Sequence, residues 1–186
     1  NATATVRWNH ILNDRTNINT SAVFSNYYYR YKSLADGLQY LWKSDMQSYQ
    51  LKSDWETHLN NSLSLKTGAS VHFFTTMPGS VEKYGDESNV VPSRLPKKAL
   101  WDMAFYAEGE YKFLSRFQLN AGVRLSVLYA PSSSSYGAKT YVVPEPRAEL
   151  SYTLNPSNRI AVSYTQAAQS IHMLSNSSVG IPSDMW

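Results

Sequence analysis

The sequence has no cysteine, no long apolar run and no cluster of like charge. Without Cys there is neither a disulfide framework nor a Cys-based metal site. The longest uninterrupted apolar stretches are a few residues, far short of the roughly 20 that a membrane-spanning helix needs. A helical membrane protein is therefore excluded. Charged residues make up 17% of the 186, and the net charge of +3 is spread along the chain, not gathered into a basic stripe. No nucleic-acid partner is expected from such a distribution. The chain opens at Asn1 with no Met and no signal peptide, so the expectation is a mature chain or a piece of something larger. What the sequence does have is Tyr, 14 residues of it, together with 5 Trp.

It also has alternation at unusual length. From Tyr49 to Leu59 the odd positions are Tyr49, Leu51, Ser53, Trp55, Thr57 and Leu59, and the even ones are Gln50, Lys52, Asp54, Glu56 and His58. Successive side chains of a strand point to opposite faces, so this is a strand between two very different environments. From Lys98 to Phe113, Ala99, Trp101, Met103, Phe105, Tyr111 and Phe113 oppose Asp102, Tyr106, Glu108, Glu110 and Lys112. From Phe117 to Tyr129, Leu119, Val123, Leu125 and Val127 oppose Gln118, Asn120, Arg124 and Ser126. Leu63–Thr75, Ala2–Asn9, Glu145–Tyr152 and Arg159–Thr165 repeat the pattern, and the Tyr-rich Asn17–Tyr31 is a less regular eighth strand. Strands of soluble sandwiches run about 5–6 residues, whereas a tilted membrane-spanning strand needs about 9–11. Aromatics also stand near the ends of the apolar faces, as at Tyr49, Trp101, Tyr111, Phe117 and Tyr129, which suits the two interfaces of a bilayer. The expected fold is all-β, an antiparallel up-and-down transmembrane β-barrel of about eight strands, in contact with outer-membrane lipid.

Connections alternate short and long. Short ones are expected at Leu12–Arg15, Asn60–Ser62, Leu114–Arg116 and Leu154–Asn158, and long ones at Leu34–Met46, Met77–Pro96, Pro131–Thr140 and Ser170–Trp186. Outer-membrane barrels have short periplasmic turns and long extracellular loops. On that rule the short set is inside and strands one, three, five and seven run outward. Within Leu34–Met46, the spacing of Leu34, Leu38, Leu41 and Trp42 predicts a short amphipathic helix.

The chemistry-bearing residues point to a wet lining. His10, His58, His72 and His172 have no metal-ligand spacing, and no nucleophile motif occurs. The inward charges Asp54, Glu56, Asp102, Glu108, Glu110, Lys112, Arg124, Glu145, Arg147 and Glu149 read as the polar lining of a barrel, pairing across strands, not as an acid–base site. No catalytic, metal or cofactor residue is expected, and the chain does not read as an enzyme.

Near the C-terminal end stand Val143-Pro-Glu-Pro-Arg147, Leu150-Ser-Tyr-Thr-Leu154, Gln169-Ser-Ile-His-Met-Leu-Ser-Asn176 and Pro182-Ser-Asp-Met-Trp186. This stretch resembles the barrel of TonB-dependent receptors of the Bacteroidetes type. Arg7-Trp8-Asn9-His10 and the Gly68–Phe74 strand resemble the same family. The resemblance implies a barrel of about 22 strands with a plug inside, and active nutrient uptake across the outer membrane of a Gram-negative bacterium. The partners it implies are the plug domain, the rest of the barrel, the TonB complex and, in the polysaccharide-importing branch, a surface lipoprotein. Residues 1–186 are then expected to be part of one barrel domain, without a plug. The cargo is not encoded in any motif here. If residues of this chain meet it, the long loops are the place, at Tyr136, His172, Asn176 and Trp186. The alternative from the residues alone is a complete eight-stranded barrel with a structural or adhesive role.

Overall fold

The structure is a computed structural model, and it describes residues 1–35, 38–85, 88–132 and 137–169. These form nine strands: β1 (Ala2–Asn13), β2 (Thr16–Ala35), β3 (Leu38–His58), β4 (Leu63–Lys83), β5 (Ser93–Arg94), β6 (Lys98–Phe113), β7 (Phe117–Ala130), β8 (Lys139–Asn155) and β9 (Asn158–Thr165). All pairings are antiparallel, and the order across the sheet is β1-β2-β3-β4-β6-β7-β8-β9, with the two-residue β5 against the far end of β4. Each long strand thus lies beside its neighbours in sequence, the up-and-down meander expected. Among the described residues β1 and β9 each pair on one side only, so the sheet is an arc and does not close on itself as the eight-stranded alternative requires.

The two faces have inverted polarity. The least exposed residues include Ala104, at 0%, with Ser70, Ser151 and Glu145, all on the polar face. The large apolar side chains of the other face stand in the open: Phe105 is 58% exposed and Val162 73%, and Leu51, Leu125 and Val142 are exposed with them. A protein in water folds the other way round, with its apolar face covered. The polar face is the concave one, and the apolar face looks outward to hydrocarbon.

Three of the four short turns share one local device. Asn13 Oδ1 accepts the Arg15 amide at 2.9 Å, Asn60 Oδ1 accepts those of Ser62 at 2.8 Å and Leu63 at 2.9 Å, and Asn155 Oδ1 accepts that of Ser157 at 3.0 Å. An Asn side chain reaching its own backbone two residues on mimics a turn and fixes where the chain reverses. The fourth turn does without Asn and places Leu114 and Ser115 in the left-handed region, at φ 50° and 57°.

The turns are staggered. Followed through the ladder onto β6, the last pair before the β1–β2 turn falls level with Gly109, and that before the β6–β7 turn is Phe113–Phe117. The last pair before the β8–β9 turn lies further down still. The total shift is about seven residues, or roughly 23 Å, over about 29 Å of sheet width. That corresponds to a strand tilt of about 40°, within the range of barrel walls. An aromatic row crosses the outward face, Phe24–Tyr49–Phe73–Trp101, with ring centroids 5.0, 6.4 and 4.5 Å apart. A second chain of rings, Tyr111–Phe113–Phe117–Tyr152, lies near the short turns, with centroids 5.6, 5.3 and 4.6 Å apart. Trp101 and Tyr111 are separated by roughly 33 Å along β6, which at this tilt is about 25 Å of depth, the height of an outer-membrane apolar band.

The loop expectations need three corrections. Leu34–Met46 is not a helix: β2 and β3 stay paired to Ala35↔Leu38, with Leu41 opposite Lys32 and Trp42 opposite Tyr31. Four apolar residues at helical spacing are outweighed by a ladder that runs without a break from Thr16↔Thr57 to Ala35↔Leu38. Met77–Pro96 is loop only in its later part, because β4 continues to Lys83. It does so through a register shift between Asp45↔Met77 and Lys43↔Ser80, where Pro78 is tolerated because a bulge leaves its missing N–H unneeded. Finally, with the short turns on the inner side, β1 and β3 run inward, since each ends in one of them; the outward direction expected is reversed.

Phe105→Arg, mid-band, is expected to cost about 2–4 kcal/mol of stability in lipid vesicles, and Tyr111→Arg at the band edge about 0–1 kcal/mol beyond the lost ring. Urea unfolding reads both; equal costs would mean that the band is misplaced.

Candidate functional site

The concave wall carries two polar rows. One runs Asn9, Asn19, Asp54, Gly68, Tyr106, Arg124, Glu145 across seven strands. The next runs Asn17, Glu56, Lys66, Glu108, Gly122, Arg147. Residues directly opposite on antiparallel strands are close enough to interact, and each row places opposite charges there. The two rows bound a hollow of about 790 Å³ that also takes in Lys52.

In both rows a glycine lets one side chain cross a strand. Tyr106 of β6 lies over Gly68 of β4, and its hydroxyl donates to Asp54 of β3. A Cβ at Gly68 would fall on the Tyr106 phenol and 2.7 Å from the Ser53 carbonyl oxygen. Likewise Arg147 of β8 reaches Glu108 of β6 at 3.4 Å across Gly122, where a Cβ would come 2.7 Å from the Ala107 carbonyl and 2.9 Å from Glu108 Cβ. The ties therefore link strands that share no ladder. Lys52 pairs with Asp54 at 2.9 Å, and the Lys52 ammonium and Arg124 guanidinium each stand 5.8 Å from the Tyr106 ring centroid. Arg124 faces Glu145 at 4.0 Å, and Ser126 donates to the same carboxylate. Each pair is partly exposed and worth about 0–1 kcal/mol alone; joined through Tyr106 they hold the wall's inner surface in one arrangement.

The inward charges expected from the sequence are on this face. Glu149 pairs with Arg159 at 3.3 Å and Glu110 with Lys112 at 3.0 Å. His58 Nδ1 and Ser64 Oγ are 2.8 Å apart, His10 stacks on Trp8 at 5.2 Å, and His72 lies across from Asp102. Among the described residues no three His, Asp or Glu gather as metal ligands. Tyr136, His172, Asn176 and Trp186, the candidate ligand contacts, lie outside the described residues. The glycine crossings were not foreseen. Gly68 and Gly122 show in the sequence only as gaps in a polar face, and what crosses them depends on register.

The family model for the TonB dependent receptor-like β-barrel matches residues 1–180. The chain belongs to that family. It is a family of transport receptors. No curated protein matches the sequence. Among solved structures, the copper transporter OprC aligns with a TM-score of 0.66 at 10% identity, over 83% of this chain and 28% of that one. BauA, the ferric preacinetobactin receptor from Acinetobacter baumannii, aligns with a TM-score of 0.63 at 13% identity, over 88% and 29%. The ferric-catecholate import receptor Fiu from E. coli K12 aligns with a TM-score of 0.57 at 14% identity, over 88% and 34%. At these identities the likeness is one of fold. This stretch of receptor barrel spans about three tenths of the length of those structures.

Tyr106→Phe is expected to cost about 1 kcal/mol by removing one of the two donors that Asp54 accepts from, Lys52 remaining. Gly68→Ala should displace the same ring, so the double variant should lose less than the sum of the singles. Denaturant midpoints give all three values, and strict additivity would show that the ring does not depend on Gly68.

Proposed function

We propose that this chain is part of the transmembrane wall of a receptor in the outer membrane of a Gram-negative bacterium, and that the receptor takes up a nutrient actively. The observation that carries this is the inverted wall: an apolar band about 25 Å deep outside, and a charged, cross-tied surface inside. A polar concave surface of this kind has to be hydrated or filled, and a plug domain lying against the Asp54–Tyr106–Arg124 row would fill it. Coupling through that plug to a TonB complex at the inner membrane supplies the energy. Residues 1–186 form one segment of the barrel domain, and the plug lies elsewhere in the receptor. A surface lipoprotein over the mouth completes this set of partners, and co-purification tests it.

The proposal is tested by deleting the gene that carries this segment and following uptake in cells fed single sources of iron chelate, copper, vitamin or glycan. The expected outcome is loss of one uptake activity that also collapses when the proton gradient is discharged. Fractionation should find the protein in the outer membrane. Recovery in the soluble fraction, or unchanged uptake of every source, would overturn the reading.

A further inference from the structure

The concave face changes character along the tall β2–β3–β4 extension, away from the short turns. Parity with Asn19 on β2 and Asp54 on β3 puts Tyr27, Tyr29 and Tyr31, and Tyr40 and Trp42, on the inner face. Tyr31 lies directly opposite Trp42, and its ring centroid is 6.2 Å from that of Tyr40. The charges of the same stretch, Arg30, Lys32, Lys43, Asp45 and Glu82, all fall on the other face. Among the described residues the extension carries one inward charge, Lys83, opposite Tyr40 at the tip. The stagger of about one residue per strand carries the upper edge of the apolar band from Trp101 on β6 to near Tyr27 on β2. Tyr29, Tyr31, Tyr40 and Trp42 therefore stand beyond the band, with water on both sides of the sheet. Hydrocarbon accounts for the rings of the outward face; it does not account for these.

The rings are held open and in place. Trp42 is seated by the bulge at Pro78-Gly79: its indole occupies the space that a Cβ at Gly79 would need, with Cη2 2.7 Å from that position. Tyr27 is 47% exposed and Tyr31 37%. The hydroxyls of Tyr27, Tyr29, Tyr31 and Tyr40 take no hydrogen-bond partner among the described residues. From Tyr27 to Tyr31 the row runs roughly 13 Å along one strand. A surface of open rings and spare hydroxyls, with no carboxylate and a single ammonium at its end, offers little to an anionic chelate or a charged peptide. It complements a neutral pyranose, which has an apolar face of C–H groups to stack on a ring and an edge of hydroxyls to bond a phenol or a serine. Ligand sites are commonly built this way, from aromatic walls and a few placed polar groups.

We propose that the inward ring row of Tyr27, Tyr29, Tyr31, Tyr40 and Trp42 is a stacking subsite for a neutral oligosaccharide entering the barrel. The inference rests on the uptake reading above and names the class of its cargo. The row's length lets it meet more than one sugar unit, and the Gly79 seat fixes the Trp42 ring before the sugar arrives.

The test uses the full receptor purified in an amine-oxide detergent, which carries no sugar. The probes are neutral oligosaccharides of glucose, galactose, mannose and xylose, with a ferric catecholate as the anionic aromatic control, and calorimetry reads binding. At least one oligosaccharide should bind. Each stacked ring contributes about tenfold in affinity, so Y27A/Y31A, which removes the two most exposed rings, should bind it about 100-fold more weakly at an unchanged Tm. Y27F/Y31F, which keeps the rings, should lose distinctly less. G79A, which pushes the Trp42 indole off its seat and removes no ring, should weaken binding as well. Binding of no oligosaccharide, or undiminished binding by Y27A/Y31A, overturns the proposal. So does ring-dependent binding of the ferric catecholate alone, which would make the row a site for aromatic chelates. If deleting the gene abolishes uptake of a source that is not a saccharide, this inference fails and the uptake reading stands; if uptake of every source is unchanged, that reading itself fails.

Discussion

A backbone amide inside hydrocarbon has no water to bond, and each unsatisfied group there costs several kcal/mol. The rest of this structure follows from that constraint. The strands are long because the ladder must cross the whole band. They pair with sequence neighbours because a hairpin is the shortest way to satisfy the next edge. The prolines obey the same rule. Pro144 and Pro146 sit in β8 before its ladder with β9 begins at Arg147↔Thr165, where only the β7 side of the strand needs donors.

Polarity inversion is the second consequence. With the apolar face turned to lipid, no hydrophobic core forms between layers, and Met77, Pro78 and Ala104 are among the few buried apolar residues of those described. Specificity therefore rests on the concave side, where side chains can bond one another. A single ion pair at this exposure is nearly neutral. The useful property of the Tyr106 and Arg147 crossings is geometric: each ties a strand to its second neighbour, which the ladder cannot do. Tilt and curvature decide whether such a crossing is short enough, and glycine decides whether there is room beneath it.

Much of this was legible in the residues. The alternation through Tyr49–Leu59 and Lys98–Phe113 assigned faces correctly because parity is a property of one strand and needs no partner. Asn-containing turns were placed to within a residue or two because their hydrogen bonds are local. The misreadings fell where the two periods compete. Leu34, Leu38, Leu41 and Trp42 fit a helix as well as a strand, and Pro78-Gly79 has the look of a loop. At the first the adjacent β2–β3 hairpin, and at the second pairing of β4 with β3, outweighed the local signal. Cross-strand rows were invisible for a related reason: Asp54, Gly68 and Tyr106, for example, are far apart in sequence and meet only through separate registers.

The amino-acid sequence alone determined the strand class, the assignment of wet and lipid faces and the positions of the tight reversals, because each depends on residues within a few positions of one another. The tertiary structure decided the strand ends, the tilt and the crossings over Gly68 and Gly122. These depend on register between strands, and register is set by the summed hydrogen bonding of many pairs and cannot be read from any one segment.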